Sequence, residues 1–455
     1  MCSAGNRIPF KETRRVMSDY HRKYFGLKKE VAPVLEGTYA SRLVDLLRLK
    51  GYEIDYGGLT VRLATEFGFC VGVERSIQMA YETRRMFPDK RIFITAEIIH
   101  NAYVNKQLVE MGCTFLNGQY KNGSFEDIGA DDVVILPAFG ASVEEIEEIK
   151  KKGAFIVDST CGAVVSVWNN VHRYAKDDFT SLIHGKYSHE ETIATASRAT
   201  GKADGFTGSD VGKKGKYLIV RDMEEAKYVC EYIIRGGNRE EFLRKFKHAT
   251  SVGFDPDRDL ERLGVANQTT MLSSETLAIQ GAMRAAFVQK YGEGETLQRV
   301  RSADTICSAT QDRQDAMGEL LARKRPDVLI VIGGYNSSNT GHLAEMGIEK
   351  GVPTYHIDDA SCLTGKREIR HQPIGAKATT LTEDWWPGRP RPLIGITAGA
   401  STPNNKIGDV FVRLFELNGA DLDRLMAHVE ALPTPELTEE EKRKLERMKI
   451  LHGDH

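Results

Sequence analysis

The feature that most constrains this chain is a recurring alternation of short apolar runs, polar loops and amphipathic stretches. Examples are RIFITAEIIHNAYVNKQLVEMG, FTSLIHGKYSHEETIATAS, DVLIVIGGYNSSNTGHLAEMGIEKG and PLIGITAGASTPNNKIGDVFVRLFE. The apolar runs are rich in Val and Ile and fit buried strands, and their alternation with helical patterns is typical of parallel βαβ units. We therefore predict an α/β fold whose polar loops lie at the carboxyl ends of the strands, where such sheets bind ligands.

Length and charge narrow the class of protein further. The chain has 455 residues, which favours about three domains at roughly 150 residues each. Lys and Arg number 62 against 64 Asp and Glu, so the chain has no global basic field for nucleic acid or for an acidic membrane. No apolar run suits a membrane-spanning helix, and the first residues lack the apolar core of a secretory signal. We expect a cytoplasmic protein that binds neither nucleic acid nor membrane.

Three of the seven cysteines come directly before a helical pattern. Cys70, Cys161 and Cys307 stand in GFCVGVERS, DSTCGAVVS and TICSATQDR, and the wide scatter of the cysteines does not suggest disulfides. The start of a helix favours the thiolate, which is the form that binds iron–sulfur clusters. Three thiolates around one centre would hold three irons of a cubane and leave the fourth open. The alternative, that each cysteine is a small buried hydrophobe, stays open on spacing alone.

Two polar loops could bind an anion. Residues 336–339 (NSSN) follow the run VLIVIGG, and Ser401 and Thr402 follow IGITAGA. Hydroxyls, amides and free backbone N–H groups at a helix start form a phosphate site, although plain helix capping would use the same residues. The chain has neither a P-loop nor a G-x-G-x-x-G motif opening a βαβ unit, which disfavours an ATPase and a Rossmann dehydrogenase.

A third group of residues could carry protons. His100 ends the run IFITAEII, and His189 and Glu191 lie in HGKYSHEET between a strand and a helix. Histidine can bind phosphate oxygens or move protons, and Glu191 could protonate a leaving hydroxyl. The alternative for Glu191 is a first-turn carboxylate stabilised by the helix dipole. Thr269, in ANQTTML, would signify nothing by itself.

Taken together, these stretches resemble the 4-hydroxy-3-methylbut-2-enyl diphosphate reductases of the non-mevalonate isoprenoid pathway. The motifs that carry the resemblance are GFCVGVERSIQMAYE, EIIHNAYVNKQL, IVDSTCGAVVSVWN, IHGKYSHEETIATAS, GVANQTTML, TICSATQDRQDA, NSSNTGHL and GITAGASTP. They run from about residue 24 to about residue 432. The N-terminal extension and the long middle segment resemble the plant and cyanobacterial branch. Since no long plastid transit region precedes them, a bacterial source is expected.

The resemblance implies a cloverleaf of three related α/β units around one [4Fe–4S] cluster, preceded by an N-terminal extension. The expected divisions are an extension at 1–58, a first unit at 59–160 with Cys70, a second unit with an insertion at 161–306 with Cys161, a third unit at 307–432 with Cys307, and a charged tail at 433–455.

The resemblance also implies roles for particular residues. It makes Cys70, Cys161 and Cys307 the cluster ligands, Glu191 the proton donor, and Thr269 a residue that positions the substrate. It places the substrate diphosphate against His100, His189, Ser337, Ser338, Asn339 and Ser401. The implied reaction is a two-electron reductive dehydroxylation that gives isopentenyl and dimethylallyl diphosphates and water. A ferredoxin or flavodoxin would supply the electrons singly.

Two stretches depart from the family pattern. After the second ligand cysteine, Gly162 stands where most members have Pro, and Ala163, Val165 and Ser166 also differ from the usual run. Phe139 stands where many bacterial members have a third diphosphate histidine, which the plant-like branch also lacks. Three other functions stay open as alternatives: an iron–sulfur enzyme like quinolinate synthase, a metal-free phosphosugar-binding α/β protein, and a redox sensor or scaffold that has lost catalysis. The changes after Cys161 are the only sequence support for the last of these.

Overall fold

The computed structural model describes residues 19–201, 215–303 and 305–434. The predicted tail therefore lies outside the described residues from residue 435 onward, as does the N-terminal extension before residue 19. The helices of the described ranges are Lys28–Tyr39, Arg42–Leu49, Val71–Met86, Ala102–Glu110, Val143–Lys152, Gly162–Lys176, Glu190–Ala199, Met223–Arg235, Arg239–Lys245, Pro256–Asp259, Ser273–Tyr291, Glu293–Arg299, Ser308–Arg323, Ser338–Glu349, Asn404–Leu417 and Leu422–Ala431.

Three larger sheets, in which the strands pair almost entirely in parallel, organise the chain. The first sheet has the strand order Tyr20–His21, Phe155–Asp158, Val133–Leu136, Ile92–Ile94, Cys113–Phe115. The second has the order Val300–Ser302, Leu263–Asn267, Thr180–His184, Tyr217–Val220. The third has the order Thr354–Ile357, Val328–Ile332, Leu393–Ala398, Leu59–Leu63, Glu53–Tyr56, with only the last pair antiparallel. A two-stranded ribbon pairs Glu368–His371 with Thr380–Glu383.

The α/β fold predicted from the alternating pattern is confirmed. The central strands Val328–Ile332 and Leu393–Ala398 are buried at every residue, as expected for parallel strands covered by helices on both faces. None of the helices in the described ranges combines the length and the apolar character that crossing a bilayer requires.

The chain leaves one sheet and enters the next at each of the three cysteines. Strand Leu59–Leu63 belongs to the third sheet, whereas helix Val71–Met86, which follows Cys70, packs its apolar side chains into the core of the first sheet. Strand Phe155–Asp158 belongs to the first sheet, whereas helix Gly162–Lys176, after Cys161, packs on the second.

The third crossover repeats this pattern. Strand Val300–Ser302 belongs to the second sheet, and helix Ser308–Arg323, after Cys307, packs on the third sheet through Ala316, Met317 and Leu320. Each cysteine thus lies where the chain crosses from one sheet to the next.

The predicted N-terminal division differs from the observed strand pairing. Leu59–Leu63 was expected in the first unit but pairs with Leu393–Ala398 in the third sheet, and Tyr20–His21 of the expected extension pairs with Phe155–Asp158 in the first sheet. The reason is that an apolar run predicts a strand and does not specify which sheet it joins. The remaining division of the chain into units stays a prediction.

Candidate active site between the three units

The three cysteines have the same local setting. Each is the N-cap residue of its helix. The backbone N–H of Cys70 donates to the carbonyl of Ala400 at 3.2 Å, that of Cys161 to Ala138 at 3.0 Å, and that of Cys307 to Thr269 at 3.3 Å. In each case the residue that accepts the hydrogen bond lies just after a strand. That strand is paired with the strand that precedes the cysteine in the chain. This threefold repetition fixes all three cysteines at equivalent points of their units.

The three thiols face a common centre. A Cβ placed on Gly72 would lie 2.5 Å from Sγ of Cys161 and 3.9 Å from Sγ of Cys70. The thiols of Cys70 and Cys307 both act electrostatically on that of Cys161. Because Gly72 has no side chain, it leaves the space that these sulfur atoms occupy.

Burial decides the protonation of the free thiols. It raises the pKa of Cys161 to about 11 and also raises the pKa of Cys307, although backbone N–H groups at both helix starts oppose this. The N–H groups at the helix starts lower these pKa values, as expected, but the net shift is upward because desolvation of a charged sulfur outweighs those groups. On binding a metal, these thiols would release their protons to solvent, because the positive charge of the metal favours the thiolate.

A buried arginine lies beside the thiols. Arg313 is 3% exposed, and it donates to the carbonyls of Gly68 at 2.6 Å and Ala309 at 2.7 Å. Its Nε has no hydrogen-bond partner among the described residues. Burial lowers the pKa of this guanidinium, and the Cys70 and Cys307 thiols act against that shift. A buried cation needs an anion, and an iron–sulfur centre bound by thiolates is anionic, so the residues present fit such a cluster.

Two histidines meet on one side of this centre. Nε2 of His100 lies 3.2 Å from Nε2 of His189, and both rings are buried. The ring of Phe139 stacks on His100, with 4.3 Å between centroids, and lies edge-on to His189. Burial lowers the pKa of His189 well below its ordinary value, so this ring is neutral. Phe139 thus packs against both histidines.

A buried carboxyl lies between the histidines and the thiols. Glu191 accepts hydrogen bonds from the backbone N–H of Thr269 at 2.6 Å and from its hydroxyl at 3.0 Å. Burial raises the pKa of Glu191 to about 7 despite these bonds. A carboxyl with that pKa can both hold and release a proton near neutral pH. Thr269 also accepts from the Cys307 N–H, so one residue joins this carboxyl to the cysteine centre.

The two predicted anion-binding loops lie beside His100. Ser401 donates to the backbone carbonyl of His100 at 3.0 Å, and Asn339 accepts from the N–H of Ala400 at 2.9 Å. Ser337 caps helix Ser338–Glu349, as the capping alternative expected. Ser338 and Asn339 are also buried, and neither Oγ of Ser338 nor Nδ2 of Asn339 has a hydrogen-bond partner among the described residues. Helix capping does not explain these two groups. Unsatisfied buried donors are costly, and an oxyanion would satisfy them.

Glu97 and Arg313 belong to this site but were not singled out from the sequence. Glu97 is buried and accepts from Nδ2 of Asn336 at 2.8 Å, while its Oε2 lies 3.1 Å from Nδ1 of His100. Its only sequence signal is an acidic residue three positions before a histidine at a strand end. Arg313 has no such signal, since a charged residue in an amphipathic helix normally faces water.

The chain is similar to known proteins over most of its length. The chain matches the family model "LytB protein" over residues 61–415. The protein named 4-hydroxy-3-methylbut-2-enyl diphosphate reductase from Nostoc sp. is 49% identical over 408 residues, which cover 90% of this chain and 97% of that protein. The protein of the same name from Thermosynechococcus vestitus is 48% identical over 409 residues, covering 90% and 97%.

A solved structure has the same fold. It is the structure of the protein named E-1-hydroxy-2-methyl-but-2-enyl-4-diphosphate reductase from Plasmodium falciparum. It superimposes with a TM-score of 0.54 at 20% sequence identity and covers 86% of this chain and 98% of that chain.

Proposed function

The chain belongs to the LytB protein family, and from this premise we propose that it is a 4-hydroxy-3-methylbut-2-enyl diphosphate reductase. The family predicted from the motifs, with its cyanobacterial likeness, is confirmed. The reaction breaks the bond between the allylic carbon and the hydroxyl oxygen, takes up two electrons and two protons, and gives a five-carbon diphosphate and water. One observation carries the proposal: thiols, a titratable carboxyl and unpartnered buried donors converge between the three units.

The cluster would be held by Cys70, Cys161 and Cys307. The convergence of their thiols and the buried charge of Arg313 support this assignment. When bound, a [4Fe–4S] cluster supplies electrons one at a time and an open iron that attracts the substrate hydroxyl. Arg313 would offset the negative charge of the thiolates from a position that water does not reach.

The substrate diphosphate would lie between the histidines and the two loops. Ser338 and Asn339 offer buried donors that have no partner within the described part of the chain, and Ser401 lies within hydrogen-bond distance of the His100 backbone. The full proposed set is His100, His189, Ser337, Ser338, Asn339 and Ser401. These donors would fix one end of the substrate and direct its other end toward the cysteine centre.

Protons would come through Glu191. Its carboxyl is shielded from bulk water and is poised near neutral pH. Thr269 holds both carboxylate oxygens and would thereby keep the carboxyl directed at the leaving hydroxyl. The electron donor would be a ferredoxin or flavodoxin of a bacterial cytoplasm. Quinolinate-type condensation and metal-free phosphosugar binding are disfavoured by the family assignment.

The decisive experiment measures iron, labile sulfide and turnover after anaerobic purification. We expect about four irons per chain, and conversion of hydroxymethylbutenyl diphosphate to the five-carbon diphosphates with a reduced viologen as donor. A chain free of iron under strict anaerobiosis would remove the cluster from the proposal. A full cluster without turnover would favour a sensor or a different dehydrating enzyme.

Gly72→Ala should cost the protein much of its iron. The new Cβ would lie 2.5 Å from Sγ of Cys161, closer than unbonded carbon and sulfur atoms approach, so that thiol must move. Gly162→Ala is the matched control, because its Cβ would meet nothing within 4 Å although it adjoins Cys161. We expect less than half of the wild-type iron in the first variant and full iron in the second. Full iron in both variants would show that the space at Gly72 is not needed.

Ser338→Ala should weaken inhibition by inorganic pyrophosphate. A hydrogen bond to a charged group contributes about 1.5 kcal/mol or more, which is about tenfold in affinity. Ser361→Ala serves as a control because Ser361 is exposed and lies outside the loop at 336–339. Inhibition constants measured side by side test the loop, and an unchanged constant in Ser338→Ala would show that the Ser338 hydroxyl does not bind the diphosphate.

A further inference from the structure

Glu97 connects the two halves of the proposed diphosphate site. Its buried carboxylate contacts Nδ1 of His100 in the first unit and Nδ2 of Asn336 in the third. We propose that Glu97 is a positioning residue that accepts the last hydrogen bond of the chain through His189 and His100, and that its charge allows His100 to take up a proton when a diphosphate binds. The inference deepens the proposed function and rests on it.

The direction of the hydrogen bonds follows from one backbone group. The N–H of Glu191 can only donate, and it points at Nδ1 of His189 at 3.1 Å. Neutral His189 must therefore carry its hydrogen on Nε2 and donate it to Nε2 of His100, 3.2 Å away. Nε2 of His100 is then an acceptor, so its hydrogen lies on Nδ1 and is donated to Oε2 of Glu97. Each of these three hydrogen bonds is therefore donated in the direction from Glu191 toward Glu97.

The same atoms could suggest a metal site, because ligand atoms of His100, His189 and Glu190 lie within 4.8 Å of one another. To bind a metal through Nε2, His189 would have to move its hydrogen to Nδ1. That hydrogen would then face the N–H of Glu191, and the bond that caps helix Glu190–Ala199 would be lost. The capping hydrogen bond therefore keeps the hydrogen of His189 on Nε2 and disfavours metal binding through that atom.

A diphosphate that binds at His100 and His189 needs hydrogen-bond donors from both rings. In the empty pair the hydrogen on Nε2 of His189 is given to His100, and Nε2 of His100 has no hydrogen for an oxyanion. An oxyanion can take the hydrogen of His189. If neutral His100 moved its own hydrogen to Nε2 to donate as well, Nδ1 would face the carboxylate of Glu97 without a hydrogen. A gained proton lets His100 donate to the oxyanion and to Glu97 at once. Burial keeps His189 neutral, so the added proton belongs on His100, where the carboxylate of Glu97 faces it.

The other charges around the pair do not replace Glu97. Glu190 lies 3.5 Å from Nε2 of His100 but is one-third exposed, so water screens it. The carboxyl of Glu191 is held by Thr269, and Lys186 acts on His189 by lowering its pKa. Glu97 is buried and shares one oxygen between His100 and Asn336, which couples the charge of the histidine to the position of the loop at 336–339.

The test is calorimetry of inorganic pyrophosphate binding to the cluster-loaded protein in two buffers with different ionisation enthalpies. The variants are Glu97→Gln and Glu148→Gln, the latter an exposed residue of the same unit. We expect Glu97→Gln to bind about tenfold more weakly, the effect of losing one charge-assisted hydrogen bond. It should also take up about one proton fewer than the wild type, the capacity of a single imidazole. Pyrophosphate exchanges its own protons in the same way with each protein. The difference in proton uptake between the variants therefore reports the protein alone.

Each outcome has a distinct meaning. Glutamine can still accept from His100 and Asn336, so a purely structural role predicts unchanged affinity and proton uptake in Glu97→Gln, and that result would overturn the inference while the proposed function stands. Failure of the wild-type protein to bind pyrophosphate would overturn the proposed diphosphate site and the inference with it. Iron content equal to that of the wild type establishes that the variant is folded.

Discussion

Glu191→Gln should abolish turnover while pyrophosphate still binds. Glutamine keeps the shape of the side chain and an oxygen that can accept from the Thr269 N–H, but it has no proton to give. General acid catalysis contributes about 10²–10⁴-fold, so we expect turnover with a reduced viologen to fall by at least about 100-fold. Pyrophosphate inhibition of the residual rate, or direct binding, should stay close to that of the wild type.

The control for this variant is Glu224→Gln. Glu224 also lies in the first turn of a helix in the same part of the chain, but it is exposed. If Glu191 merely stabilised its helix through the dipole, both variants would show the same small effect on thermal unfolding and little effect on rate. Near-normal turnover in Glu191→Gln would remove Glu191 from the chemistry.

The pH dependence provides an independent check on Glu191. Burial raises its pKa to about 7, so the protonated fraction falls as the pH rises through that value. A proton donor must start protonated, and turnover should therefore be highest below pH 7 and decline above it. The decline should be absent from the residual rate of Glu191→Gln, because glutamine does not titrate.

The sequence could predict those parts of the site that depend on local pattern. A cysteine before an amphipathic stretch predicts an N-cap, and the structure has Cys70, Cys161 and Cys307 as N-caps. A Ser–Asn run after a strand predicts a capped helix, and Ser337 caps one. Helix starts and strand ends are set by neighbours in the chain, which explains why these positions were found.

Features that depend on distant contacts could not be predicted in this way. Leu59–Leu63 joins the third sheet through pairing with residues more than three hundred positions later in the chain. The pKa of Cys161 is raised by burial and also by the thiols of Cys70 and Cys307, which come from distant parts of the chain. Glu97 acquires its role from Asn336 in another unit. Nothing in the local pattern of these residues encodes the partner that determines their behaviour.

Cys161→Ser should lose most of the iron, whereas Cys230→Ser should retain it. A serine hydroxyl is a much poorer ligand for iron than a thiolate, and Cys161 is the cysteine whose sulfur lies closest to the space left by Gly72. Cys230 is also buried, but its sulfur packs 3.8 Å from Sδ of Met283 in the core of the second sheet. Iron and sulfide analysis after anaerobic purification measures the difference.

The paired design separates ligand loss from general destabilisation. Both changes replace a thiol that lies largely away from water with a hydroxyl, so both should lower thermal stability, and Cys230→Ser shows how much iron such a loss removes by itself. Equal iron in the two variants would contradict the ligand assignment. Iron lost only from Cys161→Ser would mean that the thiol, rather than the packing around it, holds the metal, and the same comparison can then be extended to Cys70 and Cys307.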